Sequence, residues 1–90
     1  MAAHRILFYE YVDDVLDRRG RYREAHLARL ASERDGGRVV MAGALGDPPH
    51  GAAIVFTGVD DEQIEEFAHG DPYVEAGLVT GWRIELWNVV

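Results

Sequence analysis

Apolar residues follow two different periods along the chain, one typical of strands and one typical of helices. Residues 4–11, 38–45, 51–59 and 81–89 are rich in aliphatic and aromatic residues, which predicts four strands. Residues 17–35 and the segment that starts at Asp60 carry the spacing of helices. The predicted order of elements over the 90 residues is therefore βαββαβ.

Local signals mark the ends of the predicted helices. The first helix stops at Gly36-Gly37, and Gly20 is expected to break or bend its first turns. Asp60 and Gln63 have the spacing of a capping box and predict the start of the second helix. After this helix, Asp71-Pro72 opens a short additional turn.

This order of elements predicts a single α+β domain of the ferredoxin-like type over residues 1–90. One antiparallel four-stranded sheet should carry both helices on a single face. The second and third strands should pair as antiparallel neighbours. The segment between them holds Pro48 and Pro49, which cannot donate to a strand ladder and so mark a loop.

The strands are apolar on both sides, although a sheet with helices on one face and water on the other should alternate apolar with polar residues. In the first strand Ile6 and Phe8 point to one side, while Leu7 and Tyr9 point to the other. Monomers rarely expose so large an apolar surface, so the second face is expected to pack on the sheet of an identical subunit. The sequence therefore predicts a homodimer through the sheet face.

Composition limits the partners of the chain. Its net charge is -7 and it contains no lysine, which argues against a nucleic-acid surface. No apolar run is long enough to cross a membrane and the first residues do not resemble a secretory signal, so we expect a soluble cytoplasmic protein without membrane partners. The chain has no cysteine, which excludes thiol chemistry and fits a reducing compartment.

Arginines gather in and beside the first helix, although the chain as a whole is acidic. The members of this group are Arg18, Arg19, Arg21, Arg23, Arg29 and Arg34. A local cationic field of this kind suits a small anion. The alternative is a solvated helix face in which the arginines pair with Glu24, Glu33 and Asp35.

His26 and Asp71 are the candidate chemical groups. If Leu27 is the centre of the buried side of the first helix, His26 lies at the border of the core, on the same flank as Arg19 and Arg23. If the fold brings His26 and Asp71 together, the carboxylate orients the imidazole and the imidazole moves a proton. The alternative is structural, with a half-buried histidine that a capping or backbone group satisfies and an aspartate that only caps a helix.

The sequence predicts no metal and no cofactor. The four histidines have no close metal-ligand spacing, and the glycines at residues 43–51 do not form a phosphate-binding motif before a helix. Ser32, the single serine, has no evident base beside it. Acid/base chemistry by His26 and Asp71 therefore stays as the main catalytic hypothesis.

Three segments resemble the YciI-like family, which is also called the YCII-related domain family. They are the helix segment with Arg19, Arg23 and residues 26–30, the strand at residues 37–43, and residues 71–78. The resemblance implies a dimeric α+β barrel in which a helix histidine and the aspartate of an Asp-Pro-Tyr motif form the catalytic centre. In this chain these residues are His26 and Asp71.

The resemblance also implies a class of reaction. Relatives in the wider group include a dehydrochlorinase of a chlorinated hydroxyquinol, lactone isomerases and cofactor-free monooxygenases. By analogy we expect proton transfer on a small cyclic or aromatic compound, with His26 as the base and Asp71 as its orienter. Arg19 or Arg23 would steady developing negative charge, and Tyr73 would line the pocket.

The sequence leaves an alternative function open, and it departs from the family pattern in one place. The alternative function is a non-catalytic dimeric module that binds a small ligand or a protein partner. The family also often continues the second strand with Gly-Pro, whereas here Gly43 is followed by Ala44-Leu45. The loop after that strand borders the site in relatives, so the shape of the pocket and the substrate are expected to differ.

Overall fold

A four-stranded antiparallel sheet forms the centre of the computed structural model, which describes residues 2–90. The strands are β1 (Ala2–Tyr11), β2 (Val39–Leu45), β3 (Gly51–Thr57) and β4 (Val79–Val89). The helices are α1 (Val15–Arg18), α2 (Gly20–Asp35), α3 (Asp61–His69) and α4 (Pro72–Glu75). The strand order β2-β3-β1-β4, antiparallel throughout, confirms the predicted ferredoxin-like α+β fold.

Several element boundaries differ from the prediction. The helix predicted over residues 17–35 is divided at Arg19 into α1 and α2, next to the break expected at Gly20. β3 ends at Thr57 because Gly58 turns the chain with a φ of 71°. β4 begins at Val79, which pairs with Tyr11 beyond a register shift at which Thr80 is the extra residue of β4. That early start depends on pairing with a distant strand, which the local pattern does not show.

The start of α3 confirms the predicted capping box. The Asp60 side chain accepts a hydrogen bond from the Gln63 backbone N–H at 2.9 Å, and the Asp60 N–H donates to Gln63 Oε1 at 2.9 Å. The helices are short, and none within residues 2–90 has the length and apolar character to cross a membrane.

The main core lies between the sheet and the helices. Leu7, Tyr9 and Ile54 of the two central strands pack with Ile64 and Phe67 of α3. A second, smaller cluster joins α1, α4 and the residue before β4, and its buried members are Val15, Tyr73 and Leu78. His26 of α2 and Asp71 lie on this helix side of the sheet, to which Tyr9 also points.

The opposite side of the sheet, which we call the open face, is also apolar, as the sequence predicted. Its apolar members are Ile6, Phe8, Met41, Leu45, Ala53, Val55 and Trp87. The strand register places Ile6 and Met41 beside Val55 on this side. Met41 is 61% exposed and Trp87 is 44% exposed, so the open face presents large apolar side chains at the surface.

Candidate active site

His26 and Asp71, 45 residues apart in the chain, meet in the interior of the fold. Nδ1 of His26 lies 2.9 Å from Oδ1 and 3.0 Å from Oδ2 of Asp71. His26 is 5% exposed and Asp71 is 0% exposed. A carboxylate only accepts hydrogen bonds, so Nδ1 carries the shared hydrogen and Nε2 is the second nitrogen of the ring. The predicted contact is present, and its catalytic role stays a prediction.

Asp71 receives two further hydrogen bonds that fix its carboxylate. The Tyr9 hydroxyl donates to Oδ2 at 2.9 Å, and the Tyr73 backbone N–H donates to Oδ1 at 3.0 Å. A buried carboxylate is costly unless such donors replace water. Together with His26, these two donors hold the carboxylate of Asp71 in one position.

Each member of this cluster comes from a different element. His26 lies in the middle of α2, and Tyr9 lies in the central strand β1. Asp71 lies between α3 and α4 and is the N-cap residue of α4, with Pro72 in the first helical turn. Because proline presets the helical φ and Asp71 caps the helix, local sequence places the carboxylate in this position.

The ring of Tyr73 stacks on one face of the His26 imidazole. The ring centroids of His26 and Tyr73 are 3.8 Å apart and their planes differ by 6°. Tyr11 in turn meets Tyr73 edge to face, at 6.1 Å between centroids. The stacked contact and the bonds to Asp71 together restrict the orientation of His26.

A cavity of about 200 Å³ opens beside His26. Its lining residues are Tyr11, Arg19, Arg23, His26, Leu27, Leu30, Ala42, Gly43, Ala44, Ala52, Ile54 and Tyr73. Four of the five sequence-predicted site residues therefore line one cavity, and Asp71 lies behind His26. Ala44, at the point where the chain departs from the family's Gly-Pro continuation, lines the cavity as well.

Arg19 and Arg23 bring positive charge to the cavity. Within residues 2–90 neither Arg19 nor Arg23 forms an ion pair. Burial, and then the charges of Tyr73 and Asp71, raise the pKa of Tyr11 to about 12, while the two arginines act in the opposite direction. Burial, followed by the charge and hydrogen bond of Asp71, raises the pKa of Tyr9 far above its ordinary value.

The prediction that Leu27 is the centre of the buried side of α2 is wrong. Leu27 is 44% exposed and lines the open cavity, whereas His26 is the buried residue of the helix. Hydrophobicity alone misplaces the helix face because His26 finds Asp71 and Tyr73 as partners, which offset the cost of burying an imidazole. His26 therefore lies inside the core and not at its border.

Tyr9 and Tyr11 are two members of the cluster that sequence reasoning assigned only to a strand. Their spacing of two residues places both on the helix side of the sheet with Leu7. A tyrosine in that position needs a partner for its hydroxyl, which is the signal that could have marked Tyr9. The same spacing applies to Tyr11, although its hydroxyl bonds to no side chain within residues 2–90.

A second cavity, of about 280 Å³, lies between α2 and α3 and contains neither His26 nor Asp71. Its cations are already engaged: Arg29 donates to the Phe67 carbonyl oxygen at 2.8 Å, and Arg38 pairs with Glu33. Within residues 2–90 no group of three or more histidine, aspartate or glutamate side chains is arranged to hold a metal ion. The chemistry of the described residues is thus concentrated in the cavity beside His26.

The fold and the site define a small ferredoxin-like domain with a buried histidine–aspartate pair at the wall of a cavity. The sequence pattern of the YCII-related domain matches residues 4–88, and the chain belongs to this family. No curated protein sequence matches the chain.

A solved structure shares the fold. It is the 5-chloro-2-hydroxyhydroquinone dehydrochlorinase from Burkholderia phenoliruptrix in complex with 2,5-dihydroxybenzoquinone, with a TM-score of 0.79 and 19% sequence identity. The alignment covers 94% of this chain and 93% of that chain. The two chains therefore have the same architecture over nearly their whole length.

Proposed function

We propose that this domain is an acid/base catalyst of the isomerase or lyase type that acts on a small cyclic or aromatic compound. The observation that carries the proposal is the hydrogen bond of 2.9 Å between His26 Nδ1 and the buried Asp71. The imidazole that makes this hydrogen bond also lines a cavity. With its Nδ1 hydrogen donated to Asp71, the neutral ring can offer an unprotonated Nε2 to a substrate.

The proposed step is a proton transfer that needs only side chains. Nε2 of His26 takes a proton from a carbon or oxygen of the substrate, and Asp71 stabilises the resulting imidazolium. The electron pair left behind delocalises onto a substrate oxygen, and Arg19 or Arg23 stabilises the negative charge on that oxygen. In an isomerase the proton returns at another atom, and in a lyase a group such as chloride leaves with its bonding pair.

Size and comparison support a small ring as the substrate. The cavity of about 200 Å³ is below the roughly 300 Å³ at which pockets for drug-sized ligands begin. One solved structure that shares this fold is a dehydrochlorinase in complex with a dihydroxybenzoquinone. We therefore propose that the substrate is a single ring with oxygen substituents and that His26 takes a proton from it.

We also propose that two copies of the chain pack through the open face. Met41 and Trp87 are exposed apolar side chains on this face, and Ile6, Phe8 and Val55 lie between them on the central strands. A sheet with both faces apolar is typical of packing between two sheets. The helices already cover the other face, so a second copy of the same sheet is the simplest cover.

The catalytic proposal is tested with two probes. One assay follows exchange of the ring hydrogens of 2,5-dihydroxybenzoquinone for deuterium, and the other follows chloride release from 5-chloro-2-hydroxyhydroquinone. We expect the protein to accelerate at least one reaction and His26→Gln to lower that rate by roughly 10²–10⁴-fold. His69→Gln is the matched control, since His69 is exposed at the end of α3. Equal rates for His26→Gln and the unchanged protein would contradict the proposal, and binding without either reaction would favour a binding module.

A measurement on the ligand-free protein tests the same proposal without a substrate. In nitrogen NMR spectra the neutral His26 should show its hydrogen on Nδ1 and none on Nε2, because Nδ1 donates to Asp71. Asp71→Asn should populate the other tautomer, since an amide can donate to Nδ1. In the unchanged protein, a neutral His26 with its hydrogen on Nε2 and none on Nδ1 would remove the proposed base.

A further inference from the structure

Tyr11 brings a phenol side chain to the cavity beside His26. Its side chain lines the cavity and makes no side-chain hydrogen bond within residues 2–90. The register shift between Glu10 and Tyr11 lies at this point, and such irregularities commonly aim a side chain toward a site. Tyr11 therefore has a donor with no role in the fold.

Arg19 and Arg23 bring two positive charges to the same cavity. Arg19 lies where α1 meets α2, and Arg23 follows it by four residues, on the same side of the helix. Like charges at this spacing repel each other, and no carboxylate among residues 2–90 pairs with either of them. In a chain of net charge -7 this is an unusual place for two unpaired cations, and a bound anion would relieve their repulsion.

The hydroxyl of Tyr73 is the second unused donor in this region. It is buried and has no hydrogen-bond partner within the described residues 2–90, which leaves a polar group unsatisfied. The ring of Tyr73 meets the ring of Tyr11 edge to face, at 6.1 Å between centroids, and both residues line the cavity. The Tyr11 hydroxyl, the buried Tyr73 hydroxyl and the two unpaired guanidinium groups are all hydrogen-bond donors, and an acceptor that carries negative charge suits all of them.

We propose that Tyr11, Arg19 and Arg23 form a subsite that binds an ionised oxygen of the substrate beside His26. This assignment rests on the proposed function and narrows its substrate class to planar ring compounds with a phenolate or enolate oxygen. The remaining wall of the cavity agrees with such a ring, because Leu27, Leu30 and Ile54 are apolar. Tyr11 acts as a donor in this subsite and does not take a proton, since its pKa lies well above neutrality.

The probe for this subsite is 4-nitrophenol, and its methyl ether 4-nitroanisole is the neutral control. Binding is measured by calorimetry, and by the absorbance of the phenolate, at a pH where the probe is mostly ionised. We expect the phenolate to bind more tightly than the ether. Tyr11→Phe and Arg23→Gln should each weaken phenolate binding by roughly tenfold or more, the effect of losing a hydrogen bond to a charged group.

Two matched variants control for unspecific effects. Tyr22→Phe removes a hydroxyl from α2 that does not line the cavity, and Arg34→Gln removes an exposed charge from the last turn of the same helix. Both should bind 4-nitrophenolate like the unchanged protein. Tyr11→Phe keeps the aromatic ring that packs on Tyr73, and Arg23 is exposed, so both test variants should fold; backbone amide spectra check this.

The subsite is overturned if the ether binds as tightly as the phenolate, if neither binds, or if Tyr11→Phe binds the phenolate like the unchanged protein. These results leave the catalytic proposal standing, because the tautomer of His26 is measured without ligand. Conversely, a wrong tautomer with intact phenolate binding would remove the base and keep the subsite. The two proposals therefore fail separately.

Discussion

At the scale of single residues, Asp71 serves the fold and the site at once. Its Oδ1 caps α4 through the Tyr73 N–H, and both oxygens lie within hydrogen-bond distance of His26 Nδ1. The structural and the functional interpretations of this residue are thus compatible. Because Tyr9 also holds Oδ2, the carboxylate is fixed before any substrate arrives, which is the condition for an oriented imidazole.

Tyr9 and Tyr11 make the stability of the fold sensitive to alkali. Burial is the first cause that raises both pKa values above the ordinary value of 10.0, in the case of Tyr11 to about 12. The folded state therefore holds these protons more tightly than the unfolded chain does. Their stabilisation is complete below pH 10.0 and is lost as the pH rises through the folded-state pKa values. We expect the urea midpoint to fall above pH 10.0.

Three phenylalanine variants separate these contributions. Tyr9→Phe should lower stability at neutral pH by about 1.5–3 kcal/mol, since it removes a hydrogen bond to a charged group, and should flatten the alkaline decrease. Tyr11→Phe should flatten the decrease with a smaller effect at neutral pH, because its hydroxyl bonds to no side chain in residues 2–90. Tyr22→Phe should keep the original profile. An unchanged alkaline decrease in both Tyr9→Phe and Tyr11→Phe would contradict the assignment.

At the scale of elements, the features that sequence predicted are those that short-range interactions decide. The capping box of Asp60 and Gln63, the helix start at Asp71-Pro72 and the strand alternation of Ile6, Leu7 and Phe8 all depend on neighbours within a few residues. Such signals do not depend on which distant segments of the chain come together. The order of elements, and hence the sheet, followed from them.

The orientation of α2 was not predictable in the same way. This helix has few apolar residues, so its period does not select one side, and Leu27 was the reasonable but incorrect centre. Its buried residue is polar, and the partners that make this possible come from residues 71–73. The Tyr9 bond to Asp71 likewise joins residues that are 62 apart. The sequence could therefore predict His26 and Asp71 with Arg19, Arg23 and Tyr73 around them, but not the contribution of Tyr9 and Tyr11.

Gly51 shows how the sheet positions this cluster. A Cβ atom at Gly51 would overlap the backbone carbonyl oxygen of Tyr9 on the paired strand, whereas a Cβ at Gly43 would meet nothing within 4 Å. We expect Gly51→Ala to destabilise the fold by about 1–3 kcal/mol, the usual effect of overpacking, and to move Tyr9 away from Asp71. Gly43→Ala should change stability by less than about 1 kcal/mol. Urea unfolding of both variants checks this, and equal stabilities would contradict the close approach.

At the scale of the whole molecule, β2 connects the cavity with the open face. Ala42 and Ala44 line the cavity on one side of this strand, while Met41 and Leu45 belong to the other side. β2 is also an edge strand that pairs only with β3 in the sheet. Packing of a second copy on the open face would therefore hold in place the strand that forms one wall of the cavity.

Replacement of one exposed residue tests the proposed dimer without disturbing the core. Met41→Glu changes a side chain that is 61% exposed in the single chain, so the domain should still fold. In a sheet-to-sheet dimer the same change would bury two uncompensated carboxylates, and the complex should dissociate. Light scattering at micromolar concentration should give the mass of two 10.1 kDa chains for the unchanged protein and of one for Met41→Glu. Leu16→Glu, at an exposed apolar residue of α1, should stay dimeric. A single-chain mass for the unchanged protein would show that the open face is not covered by a second copy.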